Sequence, residues 1–373
     1  MTPRENMLNI MSCKNPEWIP LIFYADPYNH PDPKSFPEPL ASLVEEKATN
    51  WGTMCETFIP VSKFLGIDEY VFQAPPPFMK YLSGDVKEQH YTEGDINVGK
   101  ITTYSGEIEE RRKNGFLLKP YIETAEDVTV FREYTESWRY KIMPDYVDTI
   151  KKMKEMVGEN GIIRYSDNGT PLGMMYRVYS NIENIVYLAH DIPDRINELF
   201  GVMENKYLQE MTLVLENAPE IDVLVGMDDT SSTLVSPSMF EYFNAELTDK
   251  RVEKTEKYGK FYMHHSCGLL RHLLPVYKKT RMHGVDSFCR PPIGDITWDE
   301  GRNILGNKIC ICSGILGGLY FPDKETIIRS TREACEDAKA AGFIMLKLSS
   351  PDPQHSIELI QIALDEARKT LKH

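Results

Sequence analysis

A histidine and a cysteine stand two residues apart at the end of an apolar stretch that runs from Lys260 to Gly268. The stretch has the composition of a buried β-strand, in which residues two apart point to the same face. His265 and Cys267 would therefore project together, and His264 and Ser266 would point to the opposite face. An imidazole beside a thiolate suits a borderline-soft metal ion, for which zinc is the usual choice. The alternative interpretation is a hydrogen-bonded core histidine and a space-filling cysteine.

Carboxylates, thiols and hydroxyls also follow or end other apolar stretches of the chain. Besides the two residues above, they are Asp228, Asp229, Asp286, Cys310, Cys312, Ser349 and Ser350. Each has a plainer interpretation, since Asp228 or Asp229 could cap the next helix and Asp286 could accept a loop hydrogen bond. Cys289, Cys310 and Cys312 could be core residues. Together, however, these positions predict a ring of carboxylates and soft ligands around one opening.

The elements that must position these residues alternate along the second half of the chain. Strands are predicted at 161–165, 223–227, 283–288, 309–312 and 343–348, and helices at 144–158, 192–215, 239–258, 324–340 and 355–371. Repeated strand–helix units of this length predict a parallel sheet, and a single (β/α)8 TIM barrel over residues 1–373 fits better than an open sheet. Active-site groups of such barrels lie at the C-terminal ends of the strands.

The first third of the chain departs from this alternation. A helix is predicted at 3–13, opened by Thr2 and Pro3, and an apolar run at 18–24 predicts the first strand. Five prolines between Asp26 and Pro39 predict a long loop. The turns Ser105-Gly106 and Asn114-Gly115 predict an exposed antiparallel hairpin or meander inserted at about 98–120.

Composition excludes several classes of partner. The chain of 373 residues has a formal net charge of −14, which disfavours nucleic acid and anionic membranes because phosphate contacts need clustered cations. No apolar run has the length of a membrane span, and the first residues do not resemble a signal peptide. Seven scattered cysteines predict a reducing compartment, and therefore a cytoplasmic protein.

Several of these segments resemble the uroporphyrinogen decarboxylase superfamily, and within it the zinc-dependent corrinoid methyltransferases, including the coenzyme M and O-demethylase enzymes. The resemblance covers nearly the whole chain. It includes the Thr2–Asn6 helix start, the exit from the hairpin at Tyr121–Asp127, the turn Gly169–Pro171, and His265-Ser266-Cys267-Gly268. The last segment is the specific one, because in those methyltransferases it supplies two zinc ligands and a cysteine at the end of the last strand supplies the third.

The sequence departs from the family pattern at two places. Relatives that decarboxylate porphyrinogens grip propionates with arginines near the N-terminus, whereas this chain has Tyr24-Ala25-Asp26-Pro27-Tyr28 there. The last strand ends Leu348-Ser349-Ser350, without the expected cysteine. Cys312 is therefore our first choice for the third ligand, and Asp228, Asp229 or Asp286 could also complete the set.

The resemblance implies methyl transfer between a small methylated substrate and the cobalt of a corrinoid. A cobalamin-binding D-x-H-x-x-G motif is absent, so a partner corrinoid protein would present the cofactor. Asp228 or Asp229 would orient His265 or donate a proton. Phe23, Tyr24, Tyr28 and Trp51 would line an aromatic pocket, which favours an ether or amine over a thiol. Relatives of this fold often form homodimers, and the sequence leaves the oligomeric state of this chain open.

Two other functions remain open at this point. One is a cofactor-free decarboxylase of the uroporphyrinogen decarboxylase type, in which an aspartate at a strand end stabilises the protonated ring. The other is a non-catalytic barrel that binds a corrinoid or tetrapyrrole. Metal content discriminates the non-catalytic barrel from the zinc-dependent enzyme. The decarboxylase is discriminated by a cationic grip for substrate carboxylates, which we do not find in the sequence.

Overall fold

The computed structural model describes residues 1–25, 30–48, 53–314, 323–349 and 357–372. In chain order its strands are β1 (Leu21–Tyr24), β2 (Glu69–Val71), β3 (Phe78–Leu82), β4 (Lys87–Glu93), β5 (Ile96–Thr103), β6 (Gly106–Lys113), β7 (Phe116–Lys119), β8 (Trp138–Ile142), β9 (Gly161–Asp167), β10 (Val223–Gly226), β11 (Phe261–His265), β12 (Gly284–Asp286), β13 (Cys310–Gly314) and β14 (Ile344–Ser349).

The α-helices, again in chain order, are α1 (Pro3–Met11), α2 (Leu40–Lys47), α3 (Cys55–Leu65), α4 (Ala125–Glu136), α5 (Pro144–Val157), α6 (Pro171–Met174), α7 (Ile182–Asp191), α8 (Pro193–Asn217), α9 (Pro237–Phe243), α10 (Ala245–Glu256), α11 (Leu274–Tyr277), α12 (Trp298–Leu305), α13 (Lys324–Ala341) and α14 (Ile357–Leu371). A short 3-10 helix covers Pro33–Ser35, and a π-helical turn covers Met175–Tyr179. The predicted helix 239–258 is two helices that meet at Asn244.

Eight parallel strands form one sheet in the order β1-β14-β13-β12-β11-β10-β9-β2. The two end strands meet where Ile22 and Asp68 form a parallel bridge, and the Asp68 amide donates to the carbonyl of Leu21 over 3.1 Å. The sheet is therefore closed into a barrel, as the sequence predicted. Its strands are buried on both faces, which explains their nearly continuous apolar runs.

The N-terminal end of the barrel is covered by α1. Thr2 caps this helix in a reciprocal arrangement with Glu5, and the Arg4 amide donates to the carbonyl of Glu159 over 3.1 Å. The Arg4 guanidinium also pairs with Asp222. Because Glu159 and Asp222 precede β9 and β10, the helix lies at the bottom of the barrel, and the opposite, C-terminal end is left for a site.

The predicted insertion at 98–120 belongs to a larger antiparallel sheet. Strands β4 to β7 form a four-stranded meander, and β3 pairs with β8 separately. Ile101 and Ile108 are paired and buried, and Glu133 of α4 accepts a hydrogen bond from Ser105 in the turn between β5 and β6. The hairpin prediction was too small because β4 is polar and exposed throughout, which leaves no apolar alternation to detect.

Among the described residues, no helix has both the length and the apolar character that a membrane crossing requires.

Candidate functional site

Two strand ends place a histidine and an aspartate side by side at the C-terminal opening of the barrel. His265 ends β11 and Asp286 ends β12, and the two residues are partners in the parallel ladder. Nδ1 of His265 lies 2.7 Å from Oδ2 of Asp286. Since a carboxylate only accepts, the ring nitrogen donates this hydrogen bond. The imidazole is thereby held in one orientation.

Asp286 in turn is held by two buried cations. Lys347 of β14 lies 2.6 Å from its Oδ1 atom, and Arg164 of β9 lies 3.4 Å from Oδ2. Burial alone would raise the pKa of Asp286, but the charges of Lys347 and Arg164 and the His265 hydrogen bond outweigh it and hold that pKa well below its usual value. Asp286 is therefore an ionised carboxylate.

The second nitrogen of His265 faces another carboxylate. Nε2 lies 2.9 Å from Oδ1 of Asp229, and Arg177 pairs with the other oxygen of Asp229 at 2.6 Å. Burial opposes ionisation of Asp229, but its contacts with His265 and Arg177 prevail and lower its pKa to about 2. Burial also disfavours the charged imidazole, yet the hydrogen bonds with Asp229 and Asp286 raise the pKa of His265. In this state His265 donates to a carboxylate from each ring nitrogen.

Two cysteines meet at the same opening. The sulfur of Cys267 lies 3.9 Å from that of Cys289, and the Cys289 thiol also contacts the carbonyl of Ser287 at 3.3 Å. Cys267 is exposed, whereas Cys289 is buried. The hydrogen bond from Cys267 lowers the pKa of Cys289 to about 7 despite burial, and the same pairing raises the pKa of Cys267. One of the two thiols therefore loses its proton readily, and the pair then carries one negative charge.

The strand prediction for Lys260–Gly268 was too long, because β11 ends at His265 and Gly268 has a positive φ of 111°. Cys267 therefore lies in the following loop, where pleat alternation does not determine its direction. The prediction for the opposite face is confirmed. The Ser266 hydroxyl lies 2.8 Å from that of Tyr277, and the His264 ring packs 5.5 Å from the Tyr277 ring.

Asp228 lies on the other side of the strand layer from Asp229. Its side chain is fully buried, accepts the amide hydrogen bond of Thr170 at 2.9 Å, and lies 3.3 Å from Nδ1 of His264. Asp228 therefore fixes the loop after β9 and contacts His264, while Asp229 contacts His265.

Cys312, the predicted third ligand, is a fully buried residue of β13 and the ladder partner of Asp286. Burial raises its pKa to about 12. Cys310 is also buried in β13. The side chain of Ser349 and the whole of Ser350 lie outside the described residues.

Part of the expected aromatic pocket can be located. The Tyr24 and Phe72 rings are 4.2 Å apart, and Lys347 lies 4.9 Å from the centre of the Phe72 ring. Phe23 is buried against Phe58 instead. Tyr28 and Trp51 lie outside the described residues.

The donor chemistry at this opening fits zinc, although the ligands are not gathered around one point. An imidazole whose Nδ1 donates to a carboxylate is the usual zinc-binding histidine, and two thiols lie nearby. Within the ranges that the structure describes, no three side chains of the ligand types His, Cys, Asp and Glu form a group that could hold a metal ion. The Nε2 atom of His265 is engaged by Asp229.

Sequence reasoning missed Lys347 and Arg164, which neutralise Asp286. A signal existed for both, because each is a cation in the middle of a strand that is otherwise largely apolar, Lys347 in Ile344–Ser349 and Arg164 in Gly161–Asp167. Charged residues are rarely buried unless they are paired. Such a lysine or arginine therefore indicates a buried carboxylate partner.

Comparison with known proteins gives one family and one solved structure with the same fold over the whole chain. The family model for uroporphyrinogen decarboxylase (URO-D) matches residues 106–369. A methyltransferase from Methanosarcina mazei shares the fold with a TM-score of 0.63 and 13% identity, over 99% of each chain. A D-psicose 3-epimerase from Clostridium cellulolyticum H10, solved with D-tagatose, has a TM-score of 0.37 and 12% identity over 60% of this chain and 84% of its own. A search of curated proteins found no match.

Proposed function

The chain belongs to the uroporphyrinogen decarboxylase family, and we propose that within this family it is a zinc-dependent methyltransferase. It would move a methyl group between a small methylated ether, amine or thiol and the cobalt of a corrinoid, which a partner protein presents at the barrel opening. The whole-length fold similarity to the Methanosarcina mazei methyltransferase supports this proposal.

One observation carries the proposal. His265 donates from Nδ1 to an ionised, buried carboxylate at the C-terminal end of the barrel, and a pair of thiols lies beside it. A histidine held in this way has its Nε2 atom in a fixed direction, which is how proteins present imidazole to zinc. His265 and Cys267 would hold the ion together with one further ligand.

A zinc ion held there supplies a Lewis acid for the heteroatom that carries the methyl group. The residues of the chain do the positioning. Asp286 fixes the ring plane of His265 and is itself fixed by Lys347 and Arg164. Asp229, with its pKa lowered to about 2, stays ionised at neutral pH. It is therefore not a proton donor, and it would give up its contact with Nε2 of His265 when that atom binds the ion.

The decarboxylase alternative requires free cations for substrate carboxylates. The two cations that contact Asp286, Lys347 and Arg164, are themselves buried and lie 2.6 and 3.4 Å from its carboxylate, so neither is presented to a substrate carboxylate at the opening. This arrangement favours the methyltransferase.

The test is metal content and methyl transfer in His265→Ala, with His190→Ala as the matched control. His190 is an exposed residue of α7, far along the chain from the site, so its replacement should change neither quantity. Zinc is measured by elemental analysis, and transfer by the absorption change when reduced cobalamin is methylated from a panel of aryl methyl ethers, methylamines and methyl thioethers.

The expected result is about one zinc per chain in the wild type and in His190→Ala, with loss of both zinc and transfer in His265→Ala. Circular dichroism should show a folded barrel in all three proteins. Normal methyl transfer by zinc-free wild type would overturn the mechanism. A folded wild type that takes up no zinc would turn the assignment towards the decarboxylase or the non-catalytic barrel.

A further inference from the structure

The loop after β12 carries a cysteine that the sequence treated as a core residue. We infer that Cys289, and not Cys312, supplies the second thiolate of a zinc site with His265 and Cys267. This inference rests on the proposed function, because it names the missing ligand of the same site.

The spacing of the two sulfur atoms is the first argument. Cys267 and Cys289 have their sulfurs 3.9 Å apart. Two thiolates on one tetrahedral zinc, each at about 2.3 Å, are separated by about 3.8 Å. The backbone of the two loops therefore already presents the thiols at the separation that zinc requires.

The Cys289 loop is held in place by contacts on both sides of the cysteine. The carbonyl of Phe288 accepts hydrogen bonds from the Trp298 indole at 2.7 Å and from the Ser313 hydroxyl. Gly294 approaches the loop so closely that a Cβ atom there would lie 1.9 Å from the carbonyl oxygen of Cys289. A thiol on such a fixed loop loses little conformational freedom when it binds a metal.

The position of Cys312 is the second argument. It belongs to β13, is fully buried, and lies beside Asp286 in the ladder. Cys267, in contrast, is exposed in the loop after β11. A ligand set of Cys267 and Cys312 would have to join the loop region to the strand layer below it, whereas Cys289 is already in contact with Cys267.

The third argument is the ligand count. His265, Cys267 and Cys289 make three protein ligands, and a zinc with three protein ligands keeps one position open for substrate, as catalytic zinc sites do. Metal binding then requires that Nε2 of His265 exchange its contact with Asp229 for the ion, while Nδ1 keeps Asp286. Arg177 remains to hold the released Asp229 carboxylate.

The test compares full-length wild type with Cys267→Ser, Cys289→Ser and Cys312→Ser, and uses Cys13→Ser as the control. Cys13 follows α1 at the opposite end of the barrel. Each protein is stripped with a chelator, reloaded with zinc alone, and assayed for bound metal. The cobalt-substituted proteins are then compared for the thiolate-to-cobalt absorption band.

We expect about one zinc in the wild type, Cys13→Ser and Cys312→Ser. Cys267→Ser and Cys289→Ser should each lose the zinc or show about half of the thiolate-to-cobalt absorption, since one of two sulfur ligands is gone. Full zinc and full absorption in Cys289→Ser would overturn the inference and leave the proposed function standing. Loss of zinc in folded Cys312→Ser would also overturn it. A wild type that binds no zinc would overturn both.

A second measurement needs no variant and so does not depend on folding of the mutants. Native wild type is alkylated with iodoacetamide, with and without bound zinc, and the modified cysteines are identified by peptide mapping. Zinc should protect Cys267 and Cys289 together. Modification of Cys289 that bound zinc does not reduce would overturn the inference.

Discussion

His265 and Asp286 end neighbouring strands of the barrel, and the ring Nδ1 of the first donates to the carboxylate of the second over 2.7 Å. Asp286 is nearly inaccessible to solvent, and its carboxylate contacts two buried cations, Lys347 and Arg164. The orientation of the imidazole at the opening therefore depends on a charge balance inside the barrel.

Asp286→Asn should weaken metal binding without removing a metal ligand. The neutral amide cannot offset the charges of Lys347 and Arg164, and its single carbonyl oxygen is a weaker acceptor than a carboxylate for the Nδ1–H group of His265. Loss of such an orienting partner lowers zinc affinity by about 10–100-fold. Competition with a chromophoric chelator measures this affinity, and Asp365→Asn, at an exposed position of α14, is the control. Unchanged zinc affinity in Asp286→Asn would show that Asp286 does not orient the ligand.

The barrel could be predicted from the sequence because each of its strands has a local pattern that can be recognised. Buried parallel strands are short apolar runs, and Val223–Gly226 and Ile344–Ser349 stand out among polar helices. Strand β2 was missed because it has only three residues, one of them Glu69. At that length the apolar pattern cannot be separated from a loop.

The site could be predicted only as far as the strand ends. The proximity of His265 and Asp286 follows from adjacent strand ends in a parallel sheet. The contact between Cys267 and Cys289 does not, because it depends on two loops and on the close approach of Gly294 to Cys289. Such tertiary loop contacts leave no periodic signal in the sequence.

Gly294→Ala should separate the two thiols. Its new Cβ atom would lie 1.9 Å from the carbonyl oxygen of Cys289, so the loop must move. We expect zinc affinity to fall by about 10-fold or more, as for other changes that disturb ligand orientation, while the barrel stays folded. The control is Gly201→Ala in α8, where no heavy atom lies within 4 Å of the added carbon. Wild-type affinity in Gly294→Ala would argue against a fixed Cys289 loop.

Arg251→Met should lower the free energy of unfolding of the protein more than it changes metal binding at the candidate site. Arg251 is fully buried in α10, pairs with Glu204 at 2.6 Å, and lies 3.3 Å from Asp167 at the end of β9. Removing it leaves the buried carboxylate of Glu204 and the partly buried carboxylate of Asp167 without their cation, which costs about 3–5 kcal/mol. Urea unfolding measures the loss, and Lys250→Met on the exposed face of the same helix should change stability by less than about 1 kcal/mol. A small effect in Arg251→Met would mean that these carboxylates are neutral in the folded protein.

The buried carboxyl group of Glu210 should make stability depend on pH in a particular direction. Burial of this residue of α8 raises its pKa from 4.5 to about 7, against the opposing charge of Lys80 and a hydrogen bond from Tyr140. Between pH 4.5 and 7 the folded protein therefore binds more protons at this position than the unfolded chain. The contribution of Glu210 to the free energy of unfolding must therefore decrease as the pH rises from 4.5 to 7.

Glu210→Gln isolates this contribution, because glutamine has a similar shape and does not titrate. The free energy of unfolding of the wild type, measured in urea relative to Glu210→Gln, should decrease by about 3 kcal/mol from below pH 4.5 to above pH 7. Other titrating groups are common to both proteins and cancel in the difference. Glu216→Gln, at an exposed position of the same helix, should give a difference that does not vary with pH. A pH-independent difference for Glu210→Gln would show that Glu210 is already ionised in the folded protein, stabilised by Lys80.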